Sequence, residues 1–448
     1  MSETVVAETD MKFFDREDKI EALRKIRERS LAEAQFTVVT GRRRIGKTEL
    51  VKRAFGDRDF VYLFVSRKSE TDLVADFVEE FNRVLPEAVS PEVRSLQGFF
   101  REMFKAARMR PVTVFVDEFQ DFYRVNPSVF TILQGLWDRE HGNVRLNLVV
   151  CGSINSLISK IFLNRKEPLY GRQTAFMRIE PFSIAVLKEI LHHYKRSYKP
   201  EDLLALWAFT GGVAKYVALL MDEDATDFDR MLKTAISEDS FFLEEGRVLL
   251  GDEFGRDYAV YFSILSVIAR GVTTRNEIEQ AVGRPVGGHL TRLEEDYHLV
   301  SKRLPFGATT TRLVRYQIND PFYRFWFRFI FKYDGMVQMR NFDLLRKFVK
   351  RDYPTFSGLA LEGYFRKKFE ESGEWSRLGN WWDRKGENEI DLIAQNELEG
   401  VCQVAEIKRD RKRIDLNALK EKFAHCRVAL GLPNAIEPTF AGLSLEDM

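Results

Sequence analysis

The chain has 448 residues, too many for one ordinary core, and a length prior suggests about three domains. A composition of 45% hydrophobic and 31% charged residues excludes a disordered or fibrous protein. A formal net charge of +1 excludes a globally basic nucleic-acid binder, so any basic surface must be local. In chain order, an amphipathic helix, DREDKIEALRKIRERS, comes first. A short apolar strand, FTVVT (36–40), then runs straight into GRRRIGKT. Strand-like runs recur at 60–65, 112–118 and 146–153, with helical patterns at 71–85, 95–108 and 128–140 between them. Strands alternating with helices predict a mostly parallel sheet covered on both faces. Helix-rich sequence follows from about 182 to 250, punctuated by TGG at 210–212. Three helical patterns and two strand-like stretches around Gly307 occupy roughly 255–320, the pattern of a winged helix-turn-helix. An aromatic helix, DPFYRFWFRFIFKY, leads to a last unit near Pro354, read as helix 357–372, strands 374–384, 388–396 and 400–410, helix 416–426 and a strand at 427–432.

Cys151, Cys402 and Cys426 are never spaced as CxxC, and the six histidines form no HExxH motif. They predict reduced, buried thiols and no structural zinc. The N-terminus lacks a basic region followed by an apolar core. The most apolar stretch, 322–331, carries Arg324 and Arg328, too short and charged to span a bilayer. A cytoplasmic protein is expected.

Residues 41–48 match GxxxxGK[ST] without a gap, between an apolar strand and the helix ELVKRAF. Gly41, Arg42, Arg43, Arg44, Ile45, Gly46, Lys47, Thr48 and Glu49 are the expected nucleotide contacts. Glycines let backbone N–H groups curl around phosphates, and the following helix adds its positive dipole end. Lys47 should reach the β- and γ-phosphates of ATP, and Thr48 should ligate Mg²⁺. The strand VTVFVDE places Asp117 beside that metal and Glu118 where it can polarise the attacking water. A third strand, LNLVVCGS, ends in Ser153 with Asn155 beyond; a polar side chain there either senses the γ-phosphate or caps the next helix. Arg172 in PLYGR is a candidate arginine finger, in cis or from a neighbour.

FFDREDKIEAL, TGRRRIGKTEL, FVDEFQDF, VCGSINSLI, PLYGR and TGGVAKYV together resemble the archaeal-type ATPase group of the AAA+/STAND P-loop NTPases, over roughly residues 12–240. The resemblance implies that Arg16 lies near the adenine and that Gly211 and Gly212 begin a lid helix facing the nucleotide. Ala214 stands where that group often has proline. Members commonly act as switches or oligomeric motors, so a homo-oligomer is compatible with this chain.

In the winged unit the third helix carries His289, Arg292, Glu294, Glu295 and Asp296, an acidic half that matches phosphate poorly. Arg284, Arg292, Lys302, Arg303, Arg312 and Arg315 form a basic margin, which suits either DNA contact or packing between domains. Phe322, Phe325, Trp326, Phe329 and Ile330 recur at helical spacing and predict a core face.

In the last unit Asp391 lies in an apolar strand, and Glu406 and Lys408 share one face of the next. Glu362 precedes them on a helix. Two carboxylates and an ammonium at one sheet edge can hold Mg²⁺, activate water and offset phosphate charge. These residues resemble the PD-(D/E)xK nuclease fold over about 355–435. That resemblance implies Asp391 and Glu406 as metal ligands, Lys408 as catalytic and Glu362 as an assisting acid, with Ile390 in place of the usual proline. The basic run Lys408, Arg409, Arg411, Lys412 and Arg413 suits a phosphate guide or a solvated loop.

The expected fold is therefore α/β: a P-loop NTPase core with parallel sheet (1–180), a helical lid (181–250), a winged helix with its aromatic connector (251–353) and a restriction-endonuclease-like domain (354–448). Two functions fit. One is an ATP-hydrolysing, DNA-associated protein with a Mg²⁺-dependent nuclease domain. The other is an ATP-controlled signalling or assembly switch whose last domain binds DNA or protein without cutting.

Overall fold

A computed structural model describes residues 14–56, 60–152, 155–254, 257–308, 311–427, 430 and 436–448. The chain divides into two compact units, Asp15–Pro181 and Phe182–Met448, the second including Phe14.

The first unit is built on five parallel strands: β1 Gln35–Thr40, β2 Val61–Phe64, β3 Val112–Asp117, β4 Leu146–Cys151 and β5 Ala175–Arg178. Their order across the sheet is β2-β3-β4-β1-β5. Every residue of β1, β3 and β4 is buried, as mainly apolar strands are when helices cover both faces. Because all strands point one way, the loops after β1, β3 and β4 emerge at one edge, the usual ligand edge of such sheets. β4 lies between β1 and β3, pairing Val39 with Cys151 and Val150 with Val116. The helix Lys47–Phe55 starts directly after β1 and its loop. Arg24 and Arg27, on the helix Glu17–Arg29, donate to the terminal carbonyls of Arg53, Ala54 and Phe55, complementing that helix's negative end.

The second unit begins with helices Ile184–Tyr194, Pro200–Thr210, Ala214–Asp222, Phe228–Ala235 and Phe241–Phe254. Helices Tyr258–Ala269, Arg275–Val282 and Gly287–Glu295 then lead into an antiparallel pair, β6 Val300–Arg303 and β7 Arg315–Ile318. Pro321–Phe325 continues into a π-helical turn, Trp326–Phe331. Phe322, Phe325, Trp326, Phe329 and Ile330 are all buried, as their spacing predicts. Phe325 packs on Phe209 at 4.3 Å, and Trp326 donates its indole N–H to Leu243 O at 3.0 Å.

The next helix departs from expectation. It runs unbroken over Phe342–Ser372 with Pro354 inside, rather than starting beyond it. Proline removes one backbone donor and restricts the residue before it. Here burial of Leu345, Val349, Tyr353, Phe356, Leu361, Tyr364 and Phe365 along the helix outweighs that local penalty. A four-stranded sheet follows in the order β11-β10-β9-β8, with β8 Arg377–Trp382, β9 Glu389–Asn396, β10 Val401–Ile407 and β11 Pro438–Leu443. β11 pairs parallel to β10 and was not expected from sequence. Of the strand expected at 427–432, Arg427 and Leu430 lie in turns and the rest falls outside the described residues. Phe306, from the loop after β6, inserts into this sheet's core beside Ile390, Val404 and Phe423, and donates its N–H to Asn380 O at 2.7 Å. No helix among the described residues is long and apolar enough to cross a membrane.

Candidate functional site

Three residues of the loop after β1 have positive φ: Gly41 at 150°, Arg44 at 69° and Gly46 at 90°. A Cβ on Gly41 would sit 2.5 Å from Ile179 O, so only glycine permits this close approach. The loop closes around Lys47, whose Nζ donates to Gly41 O at 2.9 Å and Arg42 O at 3.1 Å. Lys47 is 7% exposed. Burial pulls its pKa down, and Cys151, Glu118 and Asp117 only partly offset that. Arg16, itself at φ 82°, braces the loop from behind, donating to Ile45 O at 2.6 Å and Glu180 O at 3.3 Å. The Glu49 side chain pairs with Arg53 at 2.5 Å.

Asp117 collects four donors. Thr48 Oγ1 and Tyr62 OH donate to Oδ2 at 2.8 and 3.1 Å. Cys151 Sγ and the Glu118 N–H donate to Oδ1 at 2.8 and 2.9 Å. Sequence reasoning missed Tyr62 and Cys151. The signal available for Cys151 was its place at the end of an apolar strand, as Asp117 ends another. Glu118 adopts a left-handed φ of 54°, a conformation usually held in place by its surroundings, and accepts a hydrogen bond from buried Gln120. The joined hydroxyl and carboxylate of Thr48 and Asp117 fit the hard-oxygen preference of Mg²⁺, and the glycine-lined loop with its buried lysine fits a triphosphate.

Arg172 needs correction as a finger acting in cis. It lies just before β5, whose Ala175 pairs with Thr37 early in β1, while Thr174 bonds Phe36. That is the edge of the sheet opposite the loop that follows Thr40. Arg172 forms a fork with Asp138 at 3.2 and 3.1 Å. Ser153 lies outside the described residues, and Asn155 begins the helix Asn155–Leu163.

In the second unit, Asp391 Oδ2 accepts from Lys408 Nζ and from the Ile407 N–H, both at 2.8 Å. Lys408 Nζ also lies 3.7 Å from Glu406 Oε1, and Lys422 Nζ lies 3.8 Å from the same oxygen. Burial would lower the Lys408 pKa, but Asp391, Glu406 and Glu362 outweigh it and hold it up. Glu362, on the long helix, is pushed up to about 8 by burial first and by the Asp391 charge next. Two carboxylates joined by an ammonium therefore gather at one sheet edge. Among the described residues no group of three or more His, Cys, Asp or Glu side chains is arranged to hold a metal.

The expected basic guide and margin are largely spent internally. Arg409 binds Glu201 and Ser357, and Arg411 pairs with Asp447. Lys302 pairs with Glu294, and Arg315 with Glu389.

Residues 13–220 match the model of an ATPase domain found predominantly in Archaea. Residues 326–420 match a family of archaeal and bacterial proteins of unknown function. An uncharacterized protein of Methanocaldococcus jannaschii is 28% identical over 419 residues, covering 91% of this chain and 90% of that one. A Walker-type ATPase of Pyrococcus abyssi superposes with a TM-score of 0.55 at 20% identity, covering 70% of this chain and 96% of that one, which shows a shared fold. The nucleotide-loop geometry, the parallel sheet and these likenesses agree: residues 13–220 have a P-loop ATPase fold and are similar to ATPase domains found predominantly in Archaea.

Proposed function

We propose that this protein couples ATP hydrolysis to work on DNA, and that residues 354–448 form a Mg²⁺-dependent nuclease domain of the PD-(D/E)xK kind. The observation that carries the nuclease reading is the junction of Asp391, Lys408 and Glu406 on adjacent strands with Glu362 behind them. In that reading Asp391 and Glu406 hold Mg²⁺, which supplies an activated water and charge neutralisation. Lys408 steadies the negative charge developing on the phosphate, and Glu362 holds a proton near neutral pH. In the ATPase domain Lys47 binds phosphate, Thr48 and Asp117 hold the nucleotide's Mg²⁺, and Glu118, oriented by Gln120, takes the proton of the attacking water. Arg172, facing away from its own loop, serves a neighbouring copy in an oligomer. Residues 181–250 are read as the helical lid, and 251–353, with the three helices and hairpin of 258–318, as a winged helix and its aromatic connector.

One observation favours the second reading, a switch that does not cut. Lys408 sits on Asp391 and would have to yield that oxygen to a metal. A cleavage assay on plasmid and linear DNA with Mg²⁺ or Mn²⁺, with and without ATP, separates the two. Cutting that disappears in Asp391→Ala supports the nuclease. No cutting under any condition leaves the switch.

A further inference from the structure

Three arginines that the proposed chemistry does not use converge beside the Asp391 cluster. Arg303 ends β6, Arg324 lies on Pro321–Phe325, and Arg366 lies one turn beyond Glu362 on the long helix. They arrive from three separate elements, so helical spacing does not explain their meeting. Each is half-buried, and Arg366 is 18% exposed. Arg324 Nε donates to Ile318 O at 2.6 Å, and Arg366 Nη2 donates to Leu378 O at 3.1 Å. Arg303 Nε is buried and has no hydrogen-bond partner among the described residues.

Arg324 Nη1 lies 3.6 Å from the place a Cβ would take on Gly363, next to Glu362 on the long helix. Both Arg366 and the segment after Arg303 reach β8, through Leu378 O and through the Phe306 N–H to Asn380 O. Across that space the guanidinium groups repel one another. Their carboxylate company is thin. Glu370 lies 3.5 Å from Arg366 Nε, is 44% exposed, and is the acid that also acts on Arg303. The other acid near Arg324 is Glu362, which shares its field with Asp391 and Lys408. Desolvated cations are costly unless an anion joins them. Guanidinium forks match phosphate oxygens in pairs, and surface lysines do not reproduce that geometry.

We propose that Arg303, Arg324 and Arg366 form a seat for backbone phosphates of a DNA strand that runs past Glu362 to Asp391. This deepens the nuclease reading by assigning how the substrate strand is held. The carbonyl bonds of Arg324 and Arg366 aim their guanidiniums, and Arg303 brings the hairpin into the same seat.

The test uses the full-length protein and fluorescein-labelled oligonucleotides in EDTA, where binding is read by anisotropy without cutting. Arg303→Gln/Arg366→Gln should weaken binding by about tenfold or more at low salt and flatten the salt dependence by about two phosphate contacts. Lys233→Gln/Lys347→Gln, which removes two exposed charges elsewhere, should change affinity by no more than about threefold. Unchanged affinity and salt slope in a normally melting Arg303→Gln/Arg366→Gln protein would overturn the proposal. If that double variant fails to fold, Arg303→Gln alone decides by the same two readouts, with a loss of about one contact expected. Millimolar inorganic phosphate is the competing arm. Phosphate that binds only while Arg303 and Arg366 are present, with DNA affinity insensitive to both, assigns a free-phosphate site and refutes the strand seat. Asp391→Ala should still bind DNA, so a wild type that never cuts defeats the nuclease reading while the seat is judged separately on binding.

Discussion

Asp117 is where the ATPase geometry is most exposed to refutation, because one side chain serves four donors and, in the proposed reading, a metal. Asp117→Asn can be accommodated in one orientation. The Glu118 N–H can only donate, so the amide oxygen must take the Oδ1 place. The amide N–H₂ then faces Thr48 and Tyr62, whose hydroxyls can both turn to accept. The loss is the charged character of these bonds, about 1–2 kcal/mol. Asp117→Ala removes the acceptor from all four donors in a residue that is 7% exposed. Thr48 and Tyr62 can recover water, but Cys151 is buried, so about 3–5 kcal/mol is expected. Thermal melts with and without ATP and Mg²⁺, run beside phosphate release, read both effects. The Asn variant should melt a few degrees below wild type, still respond to ATP, lose its extra response to Mg²⁺ and stop turning over. An Asn variant with wild-type, Mg²⁺-dependent turnover refutes Asp117 as a metal ligand. An Asn variant as unstable as Ala refutes the hydrogen-bond argument.

Glu118→Gln should hold ATP but release no phosphate, since the amide cannot take a proton, and unchanged turnover removes Glu118 from that role. Glu362, pushed up to about 8 from 4.5, keeps its proton in the folded protein over a range where the unfolded chain has lost it. Stability is therefore unaffected below pH 4.5, falls as pH rises, and is lowest above about pH 8. Glu362→Gln should raise the melting temperature at pH 8, by a few kcal/mol equivalent, and leave it unchanged near pH 4.5; a gain that does not grow with pH would count against the buried acid. Arg409→Ala should cost about 2 kcal/mol, because Arg409 forks onto half-buried Glu201 at 3.1 and 2.5 Å and bonds Ser357 at 2.6 Å. Adding Glu201→Ala should then cost little more, and additive losses in that double-mutant cycle would show that the pair is not coupled.

The sequence by itself determined the features carried by contiguous residues. GRRRIGKT after a buried strand implies the glycine-turned loop and the helix behind it, because φ freedom and helix start are local properties. Predominantly apolar runs alternating with helices determined a covered parallel sheet, and the alternation in VAEIKRD put Glu406 and Lys408 on one side of a strand. Tertiary structure decided everything that depends on which distant group arrives. The parallel pairing of β5 with β1 put Arg172, just before β5, at the edge away from Lys47, although 172 follows the nucleotide motifs in sequence. A buried face carried a helix through Pro354, and β11 exists because β10 offers a parallel partner to the weakly apolar PTFAGL. The basic residues after Glu406 look alike in sequence, yet Lys408 meets Asp391, Arg409 meets Glu201 and Arg411 meets Asp447. Local rules fix backbone conformation, but a charge takes its meaning from the partner that folding brings to it across tens or hundreds of residues, and no periodicity in the chain encodes that meeting.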